Sequence, residues 1–194
     1  MGENMTLEET RQFIRGGEWV SIAPELRPSI TKSTAGDINP FFCTRAFRYL
    51  PEDGFECTLI NFLDANGKTP LVKFVINGHL EWRGDHPIAP GAQQVDYVAD
   101  KAYEVIPLHA GWVDAVNRIL PNGLGKFELN VPQDLKGKAF PSFGLTDAKT
   151  YVDYDLIYVY REMLFNGSKN VDGRPFNKPA NRPTNLQVPL VRRP

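Results

Sequence analysis

The chain has 194 residues and a mass of 21.9 kDa, with 22 Lys and Arg residues against 23 Asp and Glu and a formal net charge of −1. This balance lacks the basic surplus of nucleic-acid-binding domains, and the apolar runs are far shorter than the ~20 residues of a membrane-spanning helix. A chain this long buries roughly 70% of the surface that it exposes when unfolded, so we expect residues 1–194 to form one domain without a structural metal or disulfide.

The first predicted element is a short helix within residues 1–16. Thr6 and Glu9 have the Thr-x-x-Glu spacing of a capping box, and Phe13 and Ile14 lie on its apolar side. We expect this helix to act as a lid or plug at one end of the fold. The same residues contain no basic start and no apolar signal core, so we expect a cytoplasmic protein.

Beyond Trp19, apolar and polar residues alternate with a period of two, which is typical of half-buried strands. The turn signals Pro51–Gly54 and Asp64–Gly67 indicate that successive strands form hairpins. Gly78 interrupts a long strand and predicts a bulge or a bend. Besides a strand near Trp19, we expect strands at about residues 41–49, 55–63, 70–83, 95–106, 126–131, 151–160 and 184–191.

Two segments between these strands have a different character. Pro107 precedes a helical pattern over residues 108–120, with Pro in the first turn. Residues 166–183 are long, polar and rich in Gly, Pro and Asn, which is typical of a functional or disordered loop, and we expect this loop to lie over the barrel. About eight short strands and few brief helices indicate a mainly β protein, an antiparallel barrel or sandwich.

Strong enzymatic motifs are missing from the sequence: it has no phosphate-binding loop, no Gly-x-Ser-x-Gly elbow and no His-Glu-x-x-His. Cys43 and Cys57 lack metal-ligand spacing, so we interpret them as buried thiols. The three histidines are scattered at His79, His86 and His109. We therefore predict neither a metal site nor a cofactor.

One polar stripe follows the third long strand. His79, Glu81 and Arg83 share one face, whereas Leu80 and Trp82 share the other. If the polar face points to solvent, these residues form surface ion pairs of little energetic value. If it points into a barrel, they become a buried acid, base and cation suited to catalysis.

Two further stripes place charges among apolar or aromatic side chains. Arg45 alternates with residues such as Phe47, so we expect it to be paired or to bind a ligand anion, since an unpaired buried charge is costly. Tyr151, Asp153 and Asp155 share one face of a later strand. Either aspartate is a natural partner for Arg45, as an internal ion pair or as part of a site.

Glu25 and Arg27 lie two residues apart on an extended segment, which fits either a salt bridge at the rim or part of a ligand site. The chain also has 12 Phe, 7 Tyr and 3 Trp, enough to line a core and an apolar cavity. The candidate ligand-binding residues are Arg45, Arg27, Glu25, Arg83, Trp19, Phe47, Trp82, Tyr97 and Tyr151.

Three short motifs resemble those of the lipocalins and other calycins. Gly17-Glu-Trp19 resembles the Gly-x-Trp motif that starts the first strand of that family, and a short helix precedes it here too. Val95-Asp-Tyr97 is similar to the later Thr-Asp-Tyr motif, with Val in place of Thr, and Arg161 is a candidate for the late arginine. The resemblance implies an eight-stranded barrel.

A closer resemblance is to the calycin-like domains of the Wnt-inhibitory membrane proteins named for down-regulation by adenomatosis polyposis coli. The matching segments, with similar spacing over residues 17–117, are Trp19–Ser21, Glu25–Pro28, Thr44–Phe47 and Gly91–Tyr97. This resemblance implies an apolar or amphipathic ligand inside the barrel.

Together these patterns predict a calycin-like antiparallel β-barrel with an N-terminal helix and one further helix. We expect it to bind a small apolar or amphipathic molecule and to act on it as a cofactor-free cyclase, isomerase or lyase of specialised metabolism, with His79, Glu81, Asp153 and Asp155 as acid–base residues. The alternatives are a non-catalytic carrier of a lipid-like or aromatic ligand, and a protein-interaction module with a filled barrel. An edge strand also offers a route to a homodimer, which no motif demands.

Overall fold

The computed structural model describes residues 5–27 and 41–193. The described residues form the helices α1 (Leu7–Ile14) and α2 (Ala110–Arg118). Their strands are β1 (Glu18–Ser21), β2 (Glu25–Arg27), β3 (Phe41–Tyr49), β4 (Gly54–Phe62), β5 (Pro70–Asp85), β6 (Gln93–Pro107), β7 (Gln133–Asp134), β8 (Tyr151–Tyr160), β9 (Met163–Asn166) and β10 (Leu190–Arg193). Residues 1–4 of the predicted N-terminal region and Pro28 of the Glu25–Pro28 motif lie outside the described residues.

Eight of these strands form a closed antiparallel β-barrel, which confirms the predicted fold class. The order around the barrel is β1, β10, β9, β8, β6, β5, β4 and β3, and pairing of β3 with β1 closes it. The short strands β2 and β7 pair with β3 and β6 outside this ring. The architecture is consistent with the calycin-like fold that the sequence motifs imply. Among the described residues, no helix has the length and apolar character that crossing a membrane requires.

The long pair β5–β6 bends at Gly78, as the sequence predicts. The register shifts between Asn77 and His79, so Gly78 has no regular partner on β6. A Cβ atom at Gly78 would lie 1.8 Å from the carbonyl oxygen of Val98, a distance that no side chain tolerates. The close backbone approach therefore requires glycine.

One end of the barrel is filled and covered by α1. The predicted capping box is present, with the Glu9 amide donating to Thr6 Oγ1 at 3.3 Å. Ile14 is 1% exposed, and the Trp19 indole donates to its carbonyl oxygen at 2.8 Å. Arg11 fastens the helix to the β3–β4 turn through Asp53, with 2.6 Å between Nη2 and Oδ2.

The arginine that lies beside Trp19 is Arg192, not Arg161. Arg192 lies over the Trp19 ring at 4.6 Å and donates to the carbonyl oxygen of Phe13. Arg161 has a positive φ of 55° between β8 and β9 and lies over Tyr160 instead. Strand β10 brings Arg192 beside Trp19 because these two residues are paired in register.

The opposite end has a second apolar cluster, built by α2 and the chain that follows it. His109 caps α2 by accepting from the Gly111 amide at 3.1 Å, which fits the predicted start of this helix. The buried rings of Phe127 and Phe140 pack with Trp112 against β5 and β6. This end therefore closes with side chains from outside the barrel wall.

Two predicted strands need correction, and one strand of the barrel was not predicted. Residues 126–131 are not a strand: the Asn117 side chain satisfies both backbone groups of Phe127, and Asn130 has a φ of 61°. In the tail the continuous strand begins only at Leu190: before it, Leu186 forms an isolated bridge with Gly167, and Val188 is 51% exposed. Strand β9, which the sequence analysis missed, pairs with both β8 and β10.

Candidate functional site

A cavity of about 750 Å³ lies within the barrel. Typical small-molecule sites have volumes of roughly 300–1,000 Å³, so this one has room for a ligand. Because alternate residues of a strand face the interior, the cavity takes its wall from single faces of β3, β4, β5, β6 and β8. The apolar part of the wall includes Phe47, Phe55, Leu59, Val72, Phe74, Ile76 and Tyr103.

Aromatic side chains cover one side of the cavity. Trp112 of α2 stacks on Phe143 with 5.9 Å between ring centroids, and Phe143 meets Phe74 edge-on at 5.6 Å. Residues of the loop 166–183 also line the cavity, among them Lys169 and Phe176. The loop that the sequence analysis places over the barrel thus supplies part of the cavity wall.

A buried ion pair lies at the polar side of the cavity. Arg45 Nε donates to Glu25 Oε1 at 3.0 Å, and both side chains are less than 5% exposed. The remaining nitrogens of Arg45 donate to Asn166 Oδ1 at 2.9 Å and to the Val188 carbonyl oxygen at 2.7 Å. Arg45 is therefore paired, as its sequence context requires, but with Glu25 rather than with the expected Asp153 or Asp155.

The pKa of Glu25 reflects this pairing. Burial alone would raise the pKa, but the charge of Arg45 and the hydrogen bonds from Ser21 and Gln187 outweigh it and hold the pKa below its ordinary value. Glu25 thus stays ionised beside Arg45. Together with the pairing of Glu25 with Cys43 in register, these contacts anchor β2 on β3.

A chain of hydrogen bonds continues from Arg45 into the barrel. Asn166 accepts from Arg45 and donates through Nδ2 to the Tyr97 hydroxyl at 3.0 Å. The Tyr97 hydroxyl in turn lies 2.8 Å from that of Tyr49. Burial raises the pKa of both phenols, so both remain protonated at neutral pH. Tyr97 lines the cavity, and this chain of hydrogen bonds fixes its hydroxyl group at the polar side.

Two carboxyl groups from β8 line the cavity beside this network. Asp155 Oδ1 accepts from the amides of Leu156 and Gly167 at 2.7 and 2.8 Å. Burial, reinforced by the neighbouring charge of Asp153, nevertheless raises the pKa of Asp155 to about 7. Asp155 therefore exchanges a proton near neutral pH.

Asp153 lies one inward position away and has fewer partners. The Tyr151 hydroxyl donates to its Oδ1 at 3.2 Å. Burial raises the pKa of Asp153, although the nearby charges of Lys169 and Arg27 oppose this shift. The predicted inward stripe Tyr151, Asp153 and Asp155 thus forms one wall of the cavity.

The other polar stripe of the sequence points outward. His79, Glu81 and Arg83 have side chains that are 37%, 42% and 49% exposed. Leu80 and Trp82 pack against the core on the opposite face of β5. The inward orientation on which a catalytic role of His79 and Glu81 depends is therefore not observed, because the large apolar residues of β5 occupy the interior.

The remaining ligand-binding candidates divide between core, cavity and surface. Arg27, Phe47, Tyr97 and Tyr151 line the cavity together with Arg45. The other candidates are Trp19 and Trp82, which belong to the core cluster or pack against it, Glu25, which holds Arg45, and Arg83, which binds Asp96 on the outside with 2.6 Å between Nε and Oδ2.

The sequence analysis missed two polar residues of the site, Lys169 and Asn166. Both lie at the start of the loop 166–183. The length and composition of this loop were the only features of the sequence that pointed to a functional role there. Gly167 between them permits the approach to Asp155, since a Cβ there would lie 2.5 Å from Asp155 Oδ1. Only the folded loop shows that these side chains face the cavity.

In the part of the chain that the structure describes, no cluster of three His, Cys, Asp or Glu residues suits a metal ion. The chemistry available at the site is that of carboxyl, phenol, guanidinium and ammonium groups.

No protein-family model matches the chain, and no curated protein matches it in sequence.

Proposed function

We propose that the barrel binds a small apolar or amphipathic molecule and converts it by acid–base catalysis without a cofactor, as an isomerase, a cyclase or a lyase. The observation that carries this proposal is the pair of buried carboxyl groups, Asp153 and Asp155, on the wall of an aromatic cavity. A general acid or base works best when its pKa lies near the working pH, and burial has moved Asp155 into that range.

The reaction class follows from what these groups do to a bound molecule. An ionised carboxylate accepts a proton from one atom of the substrate, and a protonated carboxyl group returns a proton to another. In an isomerisation or cyclisation the composition of the substrate is unchanged, and in a lyase reaction the proton loss accompanies departure of a leaving group. The aromatic wall supplies orientation and excludes water.

The outward position of His79 and Glu81 narrows the proposed acid–base residues to Asp153 and Asp155. Tyr97 and Tyr151 are protonated phenols beside them, and each could stabilise a developing negative charge on the substrate by turning its single O–H from its present partner, Tyr49 or Asp153. These four residues belong to β6 and β8, which pair over seven positions, so their geometry is fixed by the barrel itself.

The test is a comparison of metabolite extracts before and after incubation with the protein. The wild type should deplete one compound and produce an isomer or an elimination product. Asp153→Asn and Asp155→Asn should lower the rate by about 10²-fold or more, because general acid–base groups contribute roughly 10²–10⁴-fold. The matched control is Glu81→Gln, a carboxylate of the outer face, which should leave the rate unchanged. Wild-type rates in both Asp→Asn variants would contradict catalysis by these carboxyl groups.

A second candidate function is a non-catalytic carrier of a lipid-like or aromatic compound. It is favoured by the two amide hydrogen bonds that Asp155 accepts, which give this carboxyl group a structural task. A carrier would release an unaltered compound on denaturation and show no product in the incubation above. An interaction module with a filled barrel is disfavoured by the cavity of about 750 Å³.

We also propose kinship with the calycin-like domains of the Wnt-inhibitory proteins named above. Three of the matching segments contribute to barrel strands: Trp19–Ser21 in β1, Thr44–Phe47 in β3 and Gly91–Tyr97 at the start of β6. The lipid-binding role of that family supports an amphipathic ligand here.

A further inference from the structure

The cavity contains two cationic side chains, Arg27 and Lys169, whose charges are not closely paired within the part of the chain that the structure describes. Among the described residues, neither Nε nor Nη1 of Arg27 has a hydrogen-bond acceptor, although both atoms are buried. The nearest carboxylate oxygen is Glu25 Oε2, 3.6 Å from Nη1, and it already accepts from Gln187. Lys169 also lines the cavity, and no salt bridge within 4.0 Å involves it in the described ranges.

Arg45, the residue singled out from the sequence as an anion anchor, is not available for this role. Its side chain donates to Glu25, Asn166 and Val188. An incoming anion would have to break one of these buried bonds, which costs more than it returns. The free cationic capacity therefore resides in Arg27 and Lys169.

The charges around the cavity leave a positive surplus. Arg45 and Glu25 neutralise each other, and Asp153 and Asp155 resist ionisation because they are buried. Arg27 and Lys169 lie close enough for the charge of Arg27 to disfavour protonation of Lys169 and lower its pKa, after burial itself. Unpaired buried charges are costly, so an anion between these two side chains would stabilise both.

A single negative charge fits this site better than a double one. Asp153 lines the same cavity as Lys169 and Arg27. A phosphate dianion would further disfavour the ionisation of Asp153 and Asp155, whereas a carboxylate brings one charge and two acceptor oxygens, which suit a guanidinium and an ammonium group.

We propose, building on the proposed function, that the ligand class of this cavity is an organic carboxylate, with its carboxylate group between Arg27 and Lys169 and its apolar body against Phe74, Tyr103 and Phe143. The carboxylate thus marks the polar end of the ligand. The acid–base pair Asp153 and Asp155 then faces the part of the ligand next to that end.

The test uses the full-length protein and the uncharged dye Nile red as a reporter of cavity occupancy. Dodecanoate, 1-dodecanol and dodecylamine, which share one apolar chain, compete for the dye in parallel titrations. Dodecanoate should bind at least about tenfold more tightly than dodecanol, because charge-assisted hydrogen bonds contribute roughly 1.5–3 kcal/mol and 1.4 kcal/mol is tenfold. Equal binding of dodecanoate and dodecanol, no displacement by dodecanoate, or tightest binding of dodecylamine would each overturn the carboxylate proposal.

Two variants locate the carboxylate. Arg27→Met and Lys169→Met remove the charge but keep an unbranched side chain, and each should reduce the preference for dodecanoate over dodecanol to within about threefold. Lys101→Met changes an exposed cation of β6 and should keep the full preference. A preference retained in both cavity variants overturns the assignment to Arg27 and Lys169.

Failure of the underlying function has a different signature. If Nile red does not enter the wild-type protein, the proposed ligand cavity fails and the carboxylate proposal fails with it. If Nile red enters and the three dodecyl compounds compete equally, the cavity stands and only the carboxylate proposal is overturned. Thermal unfolding curves of each variant verify that it is folded in these titrations.

Discussion

Strands β5 and β8 carry polar stripes that look alike in sequence but face opposite ways. The outward stripe of β5 is His79, Glu81 and Arg83, and the inward stripe of β8 is Tyr151, Asp153 and Asp155. In β5 the alternate residues are large and apolar, and they fill the interior. In β8 the alternate residues are also largely apolar, yet they face away from the cavity.

The difference arises from what covers the outer face of β8. The loop 166–183 runs along the edge of β8, where the Tyr154 amide donates to the Phe176 carbonyl oxygen at 2.7 Å, and its residue Arg182 lies over the Tyr154 ring on the outer face. Leu156 is therefore fully buried although it lies opposite the cavity-lining face. Apolar alternation identifies a strand, but the inward face follows only when the outer face is exposed.

The largest expected effect is a loss of stability when the inward arginine of β3, Arg45, is replaced, compared with replacement of the outward Arg48. Arg45→Met should lower the free energy of unfolding by about 3–5 kcal/mol, because it removes the close partner of the buried Glu25 and leaves, among the described cations, only Arg27, at 3.6 Å. Arg48→Met, at a side chain that is 58% exposed, should cost less than about 1 kcal/mol. Urea unfolding at neutral pH measures both.

If Arg45→Met does not fold, the double variant with Glu25→Gln keeps this prediction testable. Removing the uncompensated charge should recover part of the lost stability. A double variant less stable than Arg45→Met alone would contradict the account of the buried pair.

The next effect is a pH dependence that belongs to the inward stripe. The folded-state pKa of Asp155 is raised to about 7, so the folded protein binds more protons than the unfolded chain between its ordinary pKa of about 3.9 and pH 7. The contribution of Asp155 to the free energy of unfolding is therefore largest below that window, and it is lost as the pH rises through 7. Between pH 5 and pH 8, titration of Asp155 should lower the free energy of unfolding of the wild type by about 2–3 kcal/mol.

Asp155→Asn retains an oxygen for the two backbone amides and does not titrate, so it should lose the share of the pH dependence that Asp155 contributes. Glu81→Gln on the outward stripe should keep the wild-type slope. Unfolding free energies at a series of pH values measure the slopes. A wild type that gains stability from pH 5 to pH 8 while Asp155→Asn gains less would contradict the raised pKa.

A smaller effect concerns the apolar wall. Trp112→Ala should weaken Nile red binding by about tenfold, because it removes an aromatic contact of roughly 1–2 kcal/mol from the cavity. Tyr158→Ala changes an aromatic residue of the outer face of β8 and should leave the affinity within about twofold. Fluorescence titration measures both, and equal losses would place the dye outside the cavity.

The smallest effect should follow from neutralising the outward stripe. Glu81→Gln removes an exposed ion pair with Arg83 and should change stability by less than about 0.5 kcal/mol. Thermal and urea unfolding are both sensitive enough to detect a larger change, which would indicate that the outer stripe stabilises the barrel.

Local patterns predicted much of this fold. The bounds of β3 and β8 match the alternation in the sequence, Gly78 marks the bend, and the capping box starts α1. These features depend on residues within a few positions of one another, so a single sequence contains them. Strand β9 is only four residues long, too short for a clear period.

The candidate site was predictable only in part. Arg45 was recognisable as a charge that needs a partner, but Glu25 as that partner depends on the pairing of β2 with β3. Lys169 reaches the cavity through the path of a loop, and loops carry no periodic signal. Which stripe faces inward likewise depended on how residues far apart in sequence pack.

The measurement that tests the central claim most directly is native mass spectrometry of the protein purified from its own host, followed by denaturation and identification of any released compound. The account predicts a small organic molecule, bound at one per chain, that leaves when the barrel unfolds. A protein that carries no such molecule and also fails to take up Nile red would contradict a ligand-binding cavity between β3, β5 and β8.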